Sequence, residues 1–297
     1  MTVAAEAFAP AGTMEPAANR SSRGRALALR ALVRFEIRSE LRGRTLPAFT
    51  IGFALLACAV ALVGLSAGGT LTIQGFARTS VSLLQLSLWL VPLIALTTSA
   101  VAAADIYETE WLTAQPVSRG TLVVGRALGR MLGLGAALTI GYGLAGLLIA
   151  GGAGSGDARR FLGMLVAALA LVTATTAVGT LAGVLARTRT RALGLAVGLW
   201  FVLVVGVDFA AIGLLSVMPR AELTWSLSAL LVLSPVDAVR ALGAALFDAE
   251  ALAGPMGAAL RRVLGPSGMA LLATGLVLWT TVPLAVAVRL VNRRDLC

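Results

Sequence analysis

An all-α integral membrane protein, with six transmembrane helices behind an N-terminal interfacial helix, is the fold class this sequence predicts. Three observations carry the prediction. Of 297 residues, 58% are hydrophobic and only 13% charged, against about 25% charged in a soluble domain. Six segments, 47–66, 81–103, 129–152, 161–186, 192–218 and 268–288, each supply the roughly 20 mainly apolar residues that cross a hydrocarbon core. The ten-residue alternation of an outer-membrane barrel is absent. A lone strand in lipid leaves its backbone groups unpaired, so the spans are helices.

The elements follow in chain order. Residues 1–25 are rich in Ala, Pro and Ser and lack the apolar core of a secretory signal, so they are expected as a disordered cytoplasmic tail. Over 26–46 the pattern is that of an amphipathic interfacial helix. Leu29, Val33, Ile37 and Leu41 recur at every fourth position, and Arg30, Arg34, Arg38 and Arg42 form a second stripe about 100° away, with Arg44 close behind. Such a helix lies with its apolar side in the acyl boundary and its arginines at the lipid phosphates. Glu36 and Glu40 interrupt the apolar sector. A cytoplasmic extension of span one is the other reading of these residues. Thr45-Leu46-Pro47 is the expected bend into the bilayer.

Residues 47–290 form the expected six-helix transmembrane domain, followed by a short cytoplasmic tail, 291–297. All 24 basic residues are arginine, and 17 of them fall in the N-terminal segment, the turn after span two, the turn between spans four and five, and the C-terminus. Arginine-rich loops stay inside, so both termini are expected in the cytoplasm of a multi-pass inner-membrane protein. The charge is spread along membrane flanks without interleaved aromatic residues, and no nucleic-acid partner is expected.

Between spans two and three the chain carries a charged and aromatic turn within 105–119, closed by proline. Glu108, Glu110, Trp111, Leu112, Gln115, Pro116 and Arg119 are its distinctive residues. A short acidic helix held between two spans is a surface that another protein grips; a solvated loop is the plainer reading. The largest outer segment, 218–268, contains Ser234-Pro235-Val236-Asp237, with Arg240 after it. Ser234 suits a helix N-cap, Pro235 the first turn and Asp237 the positive end of the helix dipole. Asp208 is the one carboxylate well inside a span. A charge there costs about 2.5–3.5 kcal/mol on insertion scales, so something must compensate it. It either lines a pathway or gate, or bonds to a neighbouring helix or the outer-loop backbone.

No chemistry of its own is expected. Without histidine the zinc signatures of membrane metalloproteases are excluded, and without lysine neither a P-loop nor a Ser/Lys dyad can form. Intramembrane aspartyl chemistry needs two carboxylates at depth. Cys58 lies within span one and Cys297 is the last residue, on the cytoplasmic side, so the two are not expected to pair; the seven methionines are scattered, and no metal or other cofactor is implied. Gly129-x-x-x-Gly133, Gly179-x-x-x-Gly183 and Gly194-x-x-x-Gly198 are read as close helix contacts.

The order of elements resembles ABC-2 type transporter permeases, and more narrowly their NosY branch, the membrane subunit of a system supporting copper-site assembly in nitrous oxide reductase. Four patches carry the resemblance: Arg34 to Arg44 with Glu36, Arg38 and Arg42; Glu110 to Arg119 followed by Gly125-Arg126; Ala192 to Phe201 with Asp208 in the same helix; and Leu233 to Arg240, where Ser234 replaces the family's asparagine. The acidic stretch before Glu110 is several residues shorter than the family's. The resemblance implies a type V exporter-like transmembrane domain and a permease homodimer. Each copy would be bound through a coupling helix at 105–119 to a cytoplasmic ABC ATPase, with a possible periplasmic accessory protein outside and membrane lipids around it. It also implies coupling of ATP hydrolysis to transport or mechanical signalling for nitrous oxide reductase maturation. An ABC-2 exporter permease for a drug, lipid or other cargo is the alternative, and a membrane anchor without a transport path is a third reading.

Overall fold

The computed structural model describes residues 17–66, 73–108, 118–153, 158–217, 226, 229–246 and 267–293. Among them there is no strand. The helices are α1 (Ala17–Arg42), α2 (Thr45–Ser66), α3 (Ile73–Glu108), α4 (Arg119–Ala153), α5 (Ala158–Ala186), α6 (Arg189–Phe201), α7 (Val207–Val217), α8 (Pro235–Leu246) and α9 (Ser267–Arg293). A π turn over Val202–Gly206 joins α6 to α7, so the two form one interrupted span. Six helical stretches are long and apolar enough to cross a membrane.

Three boundaries differ from the expectation, each for a local reason. The helix α1 begins at Ala17, inside the segment expected as a disordered tail, because its Ala- and Arg-rich composition favours helix. The bend into span one falls at Gly43-Arg44 rather than at Thr45-Leu46-Pro47. Pro47 sits instead in the first turn of α2, where its missing N–H leaves no helical bond unmade. Of the segment expected as a coupling helix over 105–119, the described ends belong to the flanking helices: α3 runs on to Glu108, past its apolar stretch, and α4 starts at Arg119. Glu110, Trp111, Leu112, Gln115 and Pro116 lie outside the described residues.

Without a hydrophobic force between helices in lipid, close packing of small residues holds a bundle together. Here α5 is the central helix, enclosed by α3, α6, α8 and α9. It approaches α3 through Gly179 and Gly183: a Cβ on Gly179 would lie 2.7 Å from the Leu96 carbonyl oxygen, and one on Gly183 would press on that of Ala100. On the other side α2 packs against α4, where Phe53 lies over Gly141 and stacks near Tyr142, whose hydroxyl meets Ser87 Oγ at 2.9 Å. Gly129 and Gly133 face Glu36 and Leu46. A Cβ on Gly194 or Gly198 would meet nothing within 4 Å among the described residues, and Leu195, Phe201 and Phe209 of the same span are exposed there.

Candidate functional site

Two polar clusters organise the molecule, one at the foot of span five and one at its middle and outer half. At the arginine-rich end, Ser118 Oγ accepts from the Thr121 N–H at 3.3 Å and caps α4, which brings half-buried Arg119 to its start. About two and three turns further on, α4 presents Arg126 and Arg130 to the C-terminal part of α3. Arg126 Nη1 donates to the Ala102 carbonyl at 2.8 Å, and Arg130 Nη1 donates to that of Thr98. Arg130 also gathers the two acids of α1: its Nε donates to Glu40 Oε1 at 2.8 Å, and its Nη2 reaches the same oxygen and lies 3.5 Å from Glu36 Oε1. Glu36 is buried at 8% exposure. Burial pushes its carboxyl above the ordinary 4.5, against the opposing pull of Arg130 and Arg126. The two glutamates that break the apolar stripe of α1 are thus its contact with α4, and Arg34, Arg38, Arg42 and Arg44 stay exposed.

The same end holds the foot of span five. Arg189 forks onto Asp105, Nε to Oδ1 at 2.5 Å and Nη2 to Oδ2 at 3.0 Å. A bidentate pair fixes orientation as well as distance. Only Arg187 and Thr188 separate α5 from α6, and Arg187 takes φ 65°, the left-handed conformation that ends a helix abruptly. The foot of α6 is therefore tied to α5 through the chain and to α3 through Asp105. Midway up, Trp200 Nε1 donates to the Trp89 carbonyl at 3.1 Å, and the two rings meet edge to face at 6.1 Å.

At the opposite end, the π turn and α8 interlock. Ser234 Oγ accepts from the Asp237 N–H at 3.2 Å, capping α8, and donates to the Leu203 carbonyl of the π turn at 3.4 Å. A hydroxyl can do both, so serine serves where asparagine stands in the resembled motif. Arg240 Nη1 then bridges two carboxylates, Asp237 Oδ1 at 2.6 Å and Asp208 Oδ1 at 2.7 Å. Asp237 is 2% exposed. Burial raises its carboxyl above 3.8, while Arg240 and Ser234 pull it down and Asp208 adds to the rise. Trp279 Nε1 of α9 donates to the Val232 carbonyl just before this motif, at 3.2 Å.

The sequence analysis named Asp208, Ser234, Pro235, Asp237 and Arg240; the structure brings them into one cluster. It missed Asp105, Arg130 and Arg189 as partners. The available signal was electrostatic: a carboxylate within a membrane-embedded chain must find a cation, and few arginines lie near enough to each span end. Among the described residues no group of three or more acids, cysteines or histidines is placed to hold a metal ion.

Residues 30–296 match a family described as ABC-2 family transporter protein. The chain is 32% identical over 275 residues, 89% of its own length and 98% of the relative's, to the Probable ABC transporter permease protein NosY of Pseudomonas aeruginosa. It is likewise 32% identical over 274 residues, 89% of this chain and 97% of the relative, to the protein of the same name from Stutzerimonas stutzeri.

Proposed function

From the premise that this chain belongs to the ABC-2 family of membrane transporter proteins, we propose that it is the permease subunit that couples a separate cytoplasmic ATPase to transport or mechanical signalling across the inner membrane. The Asp105–Arg189 fork is the observation that carries the proposal. Asp105 opens the segment 105–119, the surface on which the ATPase would dock through Glu108, Glu110, Trp111, Leu112, Gln115, Pro116 and Arg119. A displacement of Asp105 reaches the foot of span five through two hydrogen bonds to Arg189.

From there the path continues along span five. Its middle and outer half are bonded through Leu203 and Asp208 to α8, so a tilt of the span is passed to the outer face as a displacement of Ser234, Pro235, Asp237 and Arg240. A relayed motion needs elements with two arrangements. The π turn supplies the compliant point, since its hydrogen-bond ladder is already out of α-helical register.

The arginine distribution supports cytoplasmic termini, and the open face of Gly194 and Gly198 supports a homodimer. The α8 side is then the surface for a periplasmic partner. Together with the NosY-like relatives, this favours service to copper-site maturation of nitrous oxide reductase, with the chain acting as transmitter rather than enzyme. Co-expression with the ATPase tests the reading. Glu110→Arg combined with Trp111→Ala is expected to abolish co-purification while leaving the elution profile of the permease unchanged; undiminished co-purification would refute docking at this segment.

A further inference from the structure

A groove opens between α1 and the bundle, and we infer that it holds one anionic phospholipid, with the headgroup phosphate on Arg30, Arg34 and Arg38 and an acyl chain running inward past Met131 and Thr173. The outer part of the groove is a cavity of about 740 Å³ walled by the Val33 and Ile37 side of α1 and by Leu128, Met131 and Leu132 of α4. A second cavity of about 650 Å³ continues from it between α4, α5, α8 and α9. Leu128, Met131 and Thr173 line both, so the two form one channel open along its side.

The chemistry of the walls identifies the occupant. The inner cavity is almost wholly apolar, and its threonines are self-satisfied. Thr173, Thr280 and Thr281 donate to the Ala170, Leu276 and Val277 carbonyls of their own helices at 2.8, 3.0 and 2.9 Å. No hydroxyl is left directed at a polar ligand, which suits a hydrocarbon chain. The mouth is the reverse. Arg30, Arg34 and Arg38 are exposed at its edge. Among the described residues none of the three has an acidic partner, because Glu36 and Glu40 of the same helix are both committed to Arg130. Three cations one turn apart above an apolar channel complement a phosphate ester bearing fatty chains.

A cytosolic protein does not fit. The inner channel is rimmed by Val166, Met269 and Val277, exposed residues of membrane-spanning helices that only hydrocarbon reaches. A second copy of the chain has a separate open face on α6. The bound lipid would brace α1 against α4 beside Arg130. This inference rests on the membrane assignment and not on ATPase docking, so either can fail alone.

Native mass spectrometry of the full-length chain, delipidated in detergent and titrated with dioleoyl phosphatidylglycerol or dioleoyl phosphatidylethanolamine, tests it. The expected result is one tightly retained phosphatidylglycerol per chain and weaker retention of phosphatidylethanolamine. Each arginine at an anionic phosphate contributes a factor of about five, so Arg30→Gln, Arg34→Gln and Arg38→Gln together weaken retention roughly a hundred-fold. If that variant loses helical content, Arg34→Gln alone is expected to weaken it about five-fold. Thr173→Phe, which plugs the junction without altering charge, also loses the lipid, while Arg42→Gln with Arg44→Gln, off the groove, keeps it. Equal retention of the two lipids, wild-type retention by the arginine or Thr173 variants, equal loss in the off-groove variant, or displacement by inorganic phosphate would overturn the inference.

Discussion

Arg240 answers two carboxylates with one guanidinium nitrogen, and the consequences of removing each partner are therefore unequal. Arg240→Gln leaves Asp237 buried without a cation, and the expected loss is about 3 kcal/mol, the scale of breaking a buried pair. Asp208→Asn keeps the Asp237 pair and removes a carboxylate that is 42% exposed, so its cost is about 1 kcal/mol or less. Thermal melting of the purified protein reads the difference; equal losses would contradict the bridging geometry. Both residues were legible in the sequence, Asp208 as a charge in the wrong place and Arg240 within a helix-start motif. Their pairing was not, because the two lie 32 positions apart and nothing local records which span the outer helix meets. Glu36 and Glu40 teach the same lesson. They read as flaws in an apolar stripe, yet they are the side chains by which α1 recognises α4. A stripe defines which side of a helix is greasy, and only a partner explains its exceptions.

At the scale of elements, span existence was legible because length and apolarity are demanded by the bilayer itself. Boundaries were less so. The helices α3 and α4 run past the apolar limit into polar sequence, since Arg126 and Arg130 find carbonyl and carboxylate partners there and no longer call for a loop. The π turn at Val202–Gly206 has no residue-type signature in an unbroken run of valine, leucine and glycine. Glycine spacing was informative at two pairs, Gly129/Gly133 and Gly179/Gly183, and silent at the third. Gly183 lies against the Ala100 carbonyl, whereas a Cβ on Gly194 would meet nothing among the described residues. Gly183→Ala is therefore expected to force α3 and α5 apart and to lower stability by about 1–3 kcal/mol. Gly194→Ala should leave the melting temperature of the monomer unchanged. A Gly183→Ala protein as stable as the parent would show that the α3–α5 approach is not tight.

For the whole molecule, the proposed relay runs from one face to the other along span five, which is bonded along its length to the elements that would receive and deliver the motion. Its foot is held by Asp105 and by a two-residue turn, its middle by Trp89 and Ser234, and its outer half by Arg240. The sequence has no lysine and so no Gly-x-x-x-x-Gly-Lys P-loop, which accords with the proposal that a separate ATPase supplies the driving force. The Asp105–Arg189 fork is the narrowest point of that path. ATP turnover by the cognate ATPase, reconstituted with this chain in bilayers, is the most direct measurement of the claim. Asp105→Arg and Arg189→Asp, each alone, are expected to reduce turnover stimulated by the permease, and the two together to restore it. Stimulation that is unchanged in both single variants, or turnover that is the same without this chain, would contradict the account.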